Sequence, residues 1–434
     1  MQQARAGKPA VVARAGAPPR PLGLRAFDWV GRALRAVGVP FARLDAPGLL
    51  ARAARRTGLA DFGDGGFAEP LRRLLASLES EAALTPFGRI VVRRELGRLL
   101  ENRLRMHDTM KRHPEIGDAR VERPLFVIGL PRTGTSILHE LLAQDSSNRV
   151  PMTWEVMFPW PPPERASFDS DARIARVEAH FRGIDRVLPG FQAMHPMGPR
   201  LPQECVALTA HDFTSLLFHT SYRVPSYQRW LERADLRPVY ASHRRWLQYL
   251  QWRCPAERWV LKSPGHLWAL DALLATYPEA RIVQTHRDPL EVVASLVSLV
   301  AKLRGLASDA ADPFEIGADW AYRLAEGLRL AGEARERASG GSARFLYIRF
   351  GDLVGRELEQ VRRIYDCFGM ELRPEVESRM RRFLAENPRD KHGTHRYSLA
   401  FAGLDPDRLR ASFGDYQRRF QVLSESGERR EATG

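Results

Sequence analysis

The sequence predicts an α/β protein built on a doubly wound, P-loop-like parallel sheet flanked by helices, and three observations carry that reading. Short apolar runs of β character stand at Leu125–Gly129, Arg258–Lys262, Arg281–His286 and Arg344–Arg349. Between the later runs lie stretches whose apolar residues recur at helical spacing, so the strands must be parallel and joined by right-handed crossovers. The first run also passes straight into a tight loop and then a helix, in PLFVIGLPRTGTSILHELLAQD over Pro124–Asp145. With 434 residues, 44% hydrophobic and 27% charged, the chain has ample apolar surface to bury in one large or two ordinary domains.

In order along the chain, residues 1–25 are rich in Ala, Arg and Pro, and are expected to be disordered. Residues 26–120 read as a helical extension. Its first part, Phe27–Leu50, carries apolar residues at helical spacing with Arg on the other face; packing on the main body is expected, with peripheral contact to a membrane surface as the alternative. Leu59–Leu104 reads as two or three helices, and Pro114 and Pro124 mark the boundary. The α/β core is placed at 121–400, with a helical insertion at 151–252 on the substrate side, where Glu204–Phe218 reads as a helix. His266–Tyr277, Leu290–Leu303, Pro313–Arg337, Asp352–Phe368 and Pro374–Leu384 read as further helices, and 401–434 as a C-terminal helix and tail.

The bulk numbers exclude several classes. No run reaches the roughly 18 apolar residues that a membrane span needs, and the N-terminus lacks the apolar core of a secretory signal. Cys205, Cys254 and Cys367 have no metal-ligand spacing and suit a reducing, cytoplasmic setting. His195, His211 and His219 are irregularly spaced, so no metal is expected. The net charge of +14 suggests an anionic partner. Only five of the 66 basic residues are Lys, however, which reads as a diffuse Arg preference rather than a nucleic-acid stripe. In so lysine-poor a chain, Lys262 at a strand end and Lys391 in a Gly-containing loop stand out.

The loop itself predicts an anion site. Gly129 and Gly134 are five residues apart, as in the ATP-binding P-loop, but Thr135 stands where that motif has its Lys, followed by Ser136. Backbone N–H groups at a helix start still favour a phosphate there. Arg287 follows a second strand, and Ser295 lies eight residues further on. Strand ends of a parallel sheet share one edge, so Arg287 offers its planar fork to a second phosphate beside the loop. A structural Arg287–Asp288 ion pair is the alternative.

Together these pieces resemble the sulfotransferase family, whose members bind 3′-phosphoadenosine 5′-phosphosulfate (PAPS), and most closely its bacterial members related to the tyrosylprotein sulfotransferases. The resemblance spans about Pro124–Ser398 and rests on Pro131-Arg132-Thr133-Gly134-Thr135-Ser136, on Arg287 with Ser295, and on Pro388–Tyr397. It implies that Arg132, Thr133, Gly134, Thr135 and Ser136 hold the 5′-phosphosulfate. Arg287, Ser295, Arg389, Lys391, His392 and Gly393 would hold the 3′-phosphate. It further implies that Lys262 and Arg132 neutralise the transferred sulfuryl group and that Glu155, some twenty residues past the loop, is the general base. Glu204 ranks second and His266 third for that role. A surface or ion-paired Glu155, and a Glu204 that merely decorates a helix start, are the alternatives. His195 is a candidate lining residue of the acceptor pocket, and Tyr347 and Asp352 resemble a segment near the nucleotide. The acceptor implied is a small molecule, lipid or carbohydrate bearing a hydroxyl or amine. A P-loop kinase or NTPase and a non-catalytic nucleotide-binding protein are the rival readings.

Overall fold

The computed structural model describes residues 22–39, 41–187, 196–338, 341–388 and 399–425. Four helices come first: α1 (Leu22–Ala36), α2 (Ala46–Thr57), α3 (Ala68–Ser80) and α4 (Pro86–Arg112). Strand β1 (Leu125–Gly129) feeds α5 (Thr135–Leu142), and β2 (Asn148–Arg149) feeds α6 (Thr153–Met157) and α7 (Ala172–Val187). Four more helices, α8 (Cys205–Thr209), α9 (Leu216–Ser221), α10 (Pro225–Leu231) and α11 (Arg237–Gln251), lead to β3 (Arg258–Lys262). Next come α12 (Leu270–Thr276), β4 (Arg281–His286), α13 (Pro289–Ala307), α14 (Pro313–Arg337) and β5 (Phe345–Arg349). Finally α15 (Phe350–Leu353), α16 (Glu357–Cys367), α17 (Pro374–Glu386) and α18 (Pro406–Phe420) complete the described chain.

The five strands form one parallel sheet in the order β2-β3-β1-β4-β5. Strand residues alternate between two buried faces, as the period of two requires. Phe126, Ile128, Trp259, Leu261 and Ile282 meet one helical layer; Leu125, Val127, Val260, Val283 and Ile348 meet the other. The N-terminal helices have their own apolar core, where Leu74, Leu96 and Leu100 are clustered with Phe213, Phe218 and Tyr227 from the insertion. Local chemistry sets many helix starts. Thr85-Pro86, Asp288-Pro289, Asp312-Pro313 and Asp405-Pro406 each place a side-chain acceptor at the cap and a proline at the first helical position.

Several expected boundaries shift for physical reasons. The single element expected over Phe27–Leu50 is two helices, because the αL residue Gly38 ends α1 and Val39 N–H bonds back to Leu34 O at 3.0 Å. The Glu204–Phe218 helix is broken at Phe213, which takes φ +54°. His266–Tyr277 begins as a 3-10 turn (Pro264–Trp268) before α12, and Asp352–Phe368 divides into α15 and α16 at Gly355, φ +77°.

Burial of neutral imidazoles yields a pH prediction. Desolvation lowers His139, His211, His243 and His286 from 6.5 to about 3, aided at His139 by Lys262 and at His286 by Arg335. Between pH 6.5 and about 3 the unfolded chain therefore binds more protons than the folded one. Stability is full above pH 6.5 and falls as the pH drops, by about 1.4 kcal/mol per histidine per pH unit. Burial raises the Glu140 and Asp212 carboxyls, which offsets part of this. Calorimetry should show Tm falling by roughly 10 °C from pH 7.5 to 5.5; a flat profile would refute the account.

Candidate active site

The ends of β1, β3 and β4 bring the site together at the C-terminal edge of the sheet, where ligands bind in open α/β folds. Gly129 lies opposite Thr285 in the β1–β4 register and has φ +143°. A Cβ there would stand 2.4 Å from Thr285 Oγ1 and 2.7 Å from Thr285 O, so only glycine lets the two strands close. The loop beyond is pinned from below: Thr133 Oγ1 bonds Leu130 O at 2.6 Å and Thr285 Oγ1 at 2.6 Å. Arg132 is held at φ +66°, a conformation that costs a non-glycine residue about 1–3 kcal/mol and clusters at ligand sites. Gly134, at φ +89°, starts α5, whose first backbone N–H groups have no partner within the helix.

Lys262 completes this cradle. It ends β3 on the face that α5 covers, and its Nζ donates to Ser136 Oγ at 3.1 Å. The same Nζ lies 2.5 Å from Glu204 Oε1, with both side chains largely buried. Glu204 holds the N-cap position of α8, yet its carboxylate does not cap the helix; it reaches across to the lysine. The cation missing from the P-loop pattern thus sits beside the loop hydroxyls, delivered by the neighbouring strand. Lys262 also adds to the burial that pushes His139 down to about 3.

A second cationic centre lies alongside. Arg287 follows β4, and its Nη1 donates to Arg132 O at 2.8 Å, tying it to the loop. Its guanidinium lies 4.0 Å from the Phe350 ring centroid. The fork is engaged by Glu425, with Nε–Oε1 at 2.6 Å and Nη2–Oε2 at 2.9 Å. A carboxylate from the C-terminal region therefore occupies the planar, bidentate position that suits an oxyanion, which shows that this fork fits one. Ser295, on α13, accepts from Arg132 Nε at 3.1 Å. Arg132 so joins the Arg287 centre, whereas its expected place was at the transferred group. Asp288 caps α13 rather than pairing with Arg287: its Oδ1 accepts from Leu290 N at 3.0 Å.

The remaining candidates land elsewhere. Glu155 is 0% exposed and bound to Arg149 through both oxygens, at 2.7 and 2.6 Å, while Met152 N–H donates to it at 2.8 Å. Its lone pairs serve a buried ion pair, so the structure joins it to Arg149 and not to the lysine cluster. His266 is buried, its Nδ1 is 2.6 Å from Tyr240 OH, and burial with His243 nearby holds its pKa well below 6.5. With Tyr240, Cys205 and Ser263 it lines a cavity of about 470 Å³. Tyr347 packs with His286 and Phe420, and Asp352 pairs with Arg349. His195, Arg389, Lys391, His392 and Gly393 lie outside the described residues. Among the described residues, no three His, Cys, Asp or Glu side chains gather as a metal site.

Two residues escaped sequence reasoning. Phe350 directly follows a strand on the ligand edge and was findable by that logic. Glu425 has no local signal at all.

Comparison with known proteins agrees with this geometry. The model of the sulfotransferase family matches residues 124–374. The crystal structure of the sulfotransferase STF1 from Mycobacterium tuberculosis H37Rv is 35% identical, covers 85% of this chain and 98% of its own, and superposes with a TM-score of 0.76. STF9 from Mycobacterium avium is 31% identical over 88% of this chain and 98% of its own, with a TM-score of 0.81. A curated relative from Mycobacterium bovis, the omega-hydroxy-beta-dihydromenaquinone-9 sulfotransferase Stf3, is 26% identical over 64% of this chain and 70% of its own length.

Proposed function

This chain belongs to the sulfotransferase family, and we propose that it transfers a sulfuryl group from PAPS to a hydroxyl on an apolar small molecule. The observation that carries the reading is Lys262 bridging Ser136 and Glu204 at the mouth of the cradle. PAPS would supply the sulfuryl group and a bisphosphate leaving group. The Thr133–Ser136 backbone and the Thr135 and Ser136 hydroxyls hold its 5′ end, while Arg287, Ser295 and Arg132 hold its 3′-phosphate. Lys262 balances charge on the transferred group. Glu204, rather than Glu155, takes the acceptor proton: its carboxylate is at the lysine, and an anion in the cradle draws Lys262 away from it. Arg389, Lys391, His392 and Gly393 stay in the proposal as further 3′-phosphate ligands. We place the reaction in the cytoplasm, which suits three free cysteines.

For the acceptor, two facts support an apolar alcohol. Cys205 and Ser263, which directly follow Glu204 and Lys262, line the 470 Å³ cavity together with Tyr240, Leu231 and Trp268. The mycobacterial relative is named for an omega-hydroxylated menaquinone derivative. Transfer of label from PAPS into a lipid extract, with mass spectrometry of the product, tests the activity. No label above that of a Lys262→Ala control would overturn it.

Glu425 makes the nucleotide assignment separately testable. By calorimetric titration, Arg287→Ala should weaken the adenosine 3′,5′-bisphosphate about 100-fold and adenosine 5′-phosphate little. Glu425→Ala removes the competing carboxylate and should tighten the bisphosphate several-fold, again sparing the monophosphate. Equal effects on the two nucleotides would refute the 3′ assignment.

A further inference from the structure

Helix α1 is docked the wrong way round for a helix that merely completes the fold. Its buried residues are Asp28 and Gly31, not its apolar ones. Asp28 Oδ1 accepts from Phe87 N–H at 2.9 Å, at the start of α4. Gly31 lies so close to Pro86 that a Cβ would approach the proline Cβ to 2.4 Å. Arg32 adds a 2.6 Å ion pair to Asp309. At 100° per residue, Leu22, Phe27, Trp29, Val30 and Leu34 fall within an arc of about 160° centred opposite Asp28 and Gly31. All five are exposed, Trp29 with 72% of its surface and Leu22 with 78%, although Phe27 also meets the Phe41 ring edge-on at 5.9 Å. Val37 and Val39, just past the helix end, extend the same exposed apolar surface. A small acidic–glycine stripe thus clamps the helix to the body and turns most of an apolar face outward.

We propose that this face is a docking surface for an anionic lipid membrane, with α1 lying in the interface plane. An apolar arc of this width, carrying aromatic and aliphatic side chains with a cation at its edge, is the composition that partitions into the headgroup boundary. Arg25 is exposed about 40° past Trp29, beside the arc, and the chain as a whole carries +14, so charge favours an anionic leaflet. The same charge argues against a second copy, whose like-charged surface would have to approach face to face. Residues 1–21 offer Val11 and Val12 as their only large aliphatic side chains beyond Met1, too few to cover the patch. Among the described residues no helix is long and apolar enough to span a bilayer, so the contact is peripheral. The inference rests on the α1 geometry and the charge of the chain, and stands whether or not the acceptor is a lipid.

The test is flotation of the full chain with phosphatidylcholine vesicles, with and without phosphatidylglycerol. The wild type should float with the anionic vesicles, and added salt should weaken binding. The Trp29→Ser/Val30→Ser double variant should bind at least about tenfold less. Arg25→Gln should bind less and lose part of the salt dependence. These side chains face solvent, so unchanged circular dichroism and unchanged bisphosphate binding confirm that each variant is folded. Equal flotation of wild type and the Trp29→Ser/Val30→Ser variant overturns the proposal. So does a dimer, seen by light scattering, that the same variant makes monomeric while neither protein floats. Loss of binding on deleting residues 1–21, with none on changing Trp29 and Val30, overturns it in favour of a basic tail.

Discussion

Replacing Glu204 with glutamine is expected to lower kcat by about 10²–10⁴-fold, the loss typical of a removed general base. Bisphosphate affinity should hold or rise, because the substitution takes a negative charge away from Lys262, 2.5 Å from the carboxylate. Glu155→Gln is expected to behave oppositely. Its carboxylate is fully buried and takes both guanidinium bonds of Arg149, so glutamine leaves a buried cation with a weaker partner. Stability should fall while turnover per folded molecule is kept. Measuring kcat well below each variant's own Tm separates the two effects. A normal rate in Glu204→Gln, with a collapsed one in folded Glu155→Gln, would return the base to Glu155. Lys262→Ala should lose turnover as well and, unlike Glu204→Gln, should weaken the nucleotide.

The second large effect is on the fold. Arg149→Leu should cost about 3–5 kcal/mol, because it strands a carboxylate with no access to water. Arg149 also donates to Val150 O at 2.8 Å and lies between the Phe168 and Trp259 rings, at 4.7 and 4.9 Å, so shape is lost with charge. The double change Arg149→Leu/Glu155→Leu removes both charges together. It should recover much of the loss, since the pocket is walled by aromatic rings that accept an aliphatic chain. Urea midpoints at constant slope give the three values. A double variant as unstable as the single one would show that the pair's geometry, and not the stranded charge, carries the energy.

The placement of Glu155 and Glu204 shows where sequence reading reaches its limit. The resemblance points to Glu155 by its distance in residues from the loop, and chain distance says nothing about which carboxylate ends up facing a lysine. Glu204 is 68 residues beyond Ser136, past two helices and the turn before α8, and is carried back by tertiary packing. Its start-of-helix position suggested mere dipole decoration, but a side chain at a cap is free to turn toward a stronger partner. The helix α1 packs on the main body as expected, but through the opposite face. Amphipathicity reports that a face is apolar and not which way it points, and Asp28 and Gly31 against Pro86 and Phe87 reversed it. Strand β2, only two residues long, is too short for any periodicity to register.

Local elements follow from neighbours along the chain. Strand β1 and its Gly129–Ser136 loop, the later strands, and the Asp-Pro helix starts are all written in local propensity and backbone sterics. The scarcity of lysine even marked Lys262 before its contacts were known. Long-range packing settles which side chains meet. Sheet order puts β3 beside β1 and so brings Lys262 to Ser136; the insertion brings Glu204 to Lys262; the C-terminal region brings Glu425 to Arg287. Such meetings follow from packing two layers of helices on one sheet, a long-range balance of burial and charge that no window of sequence contains.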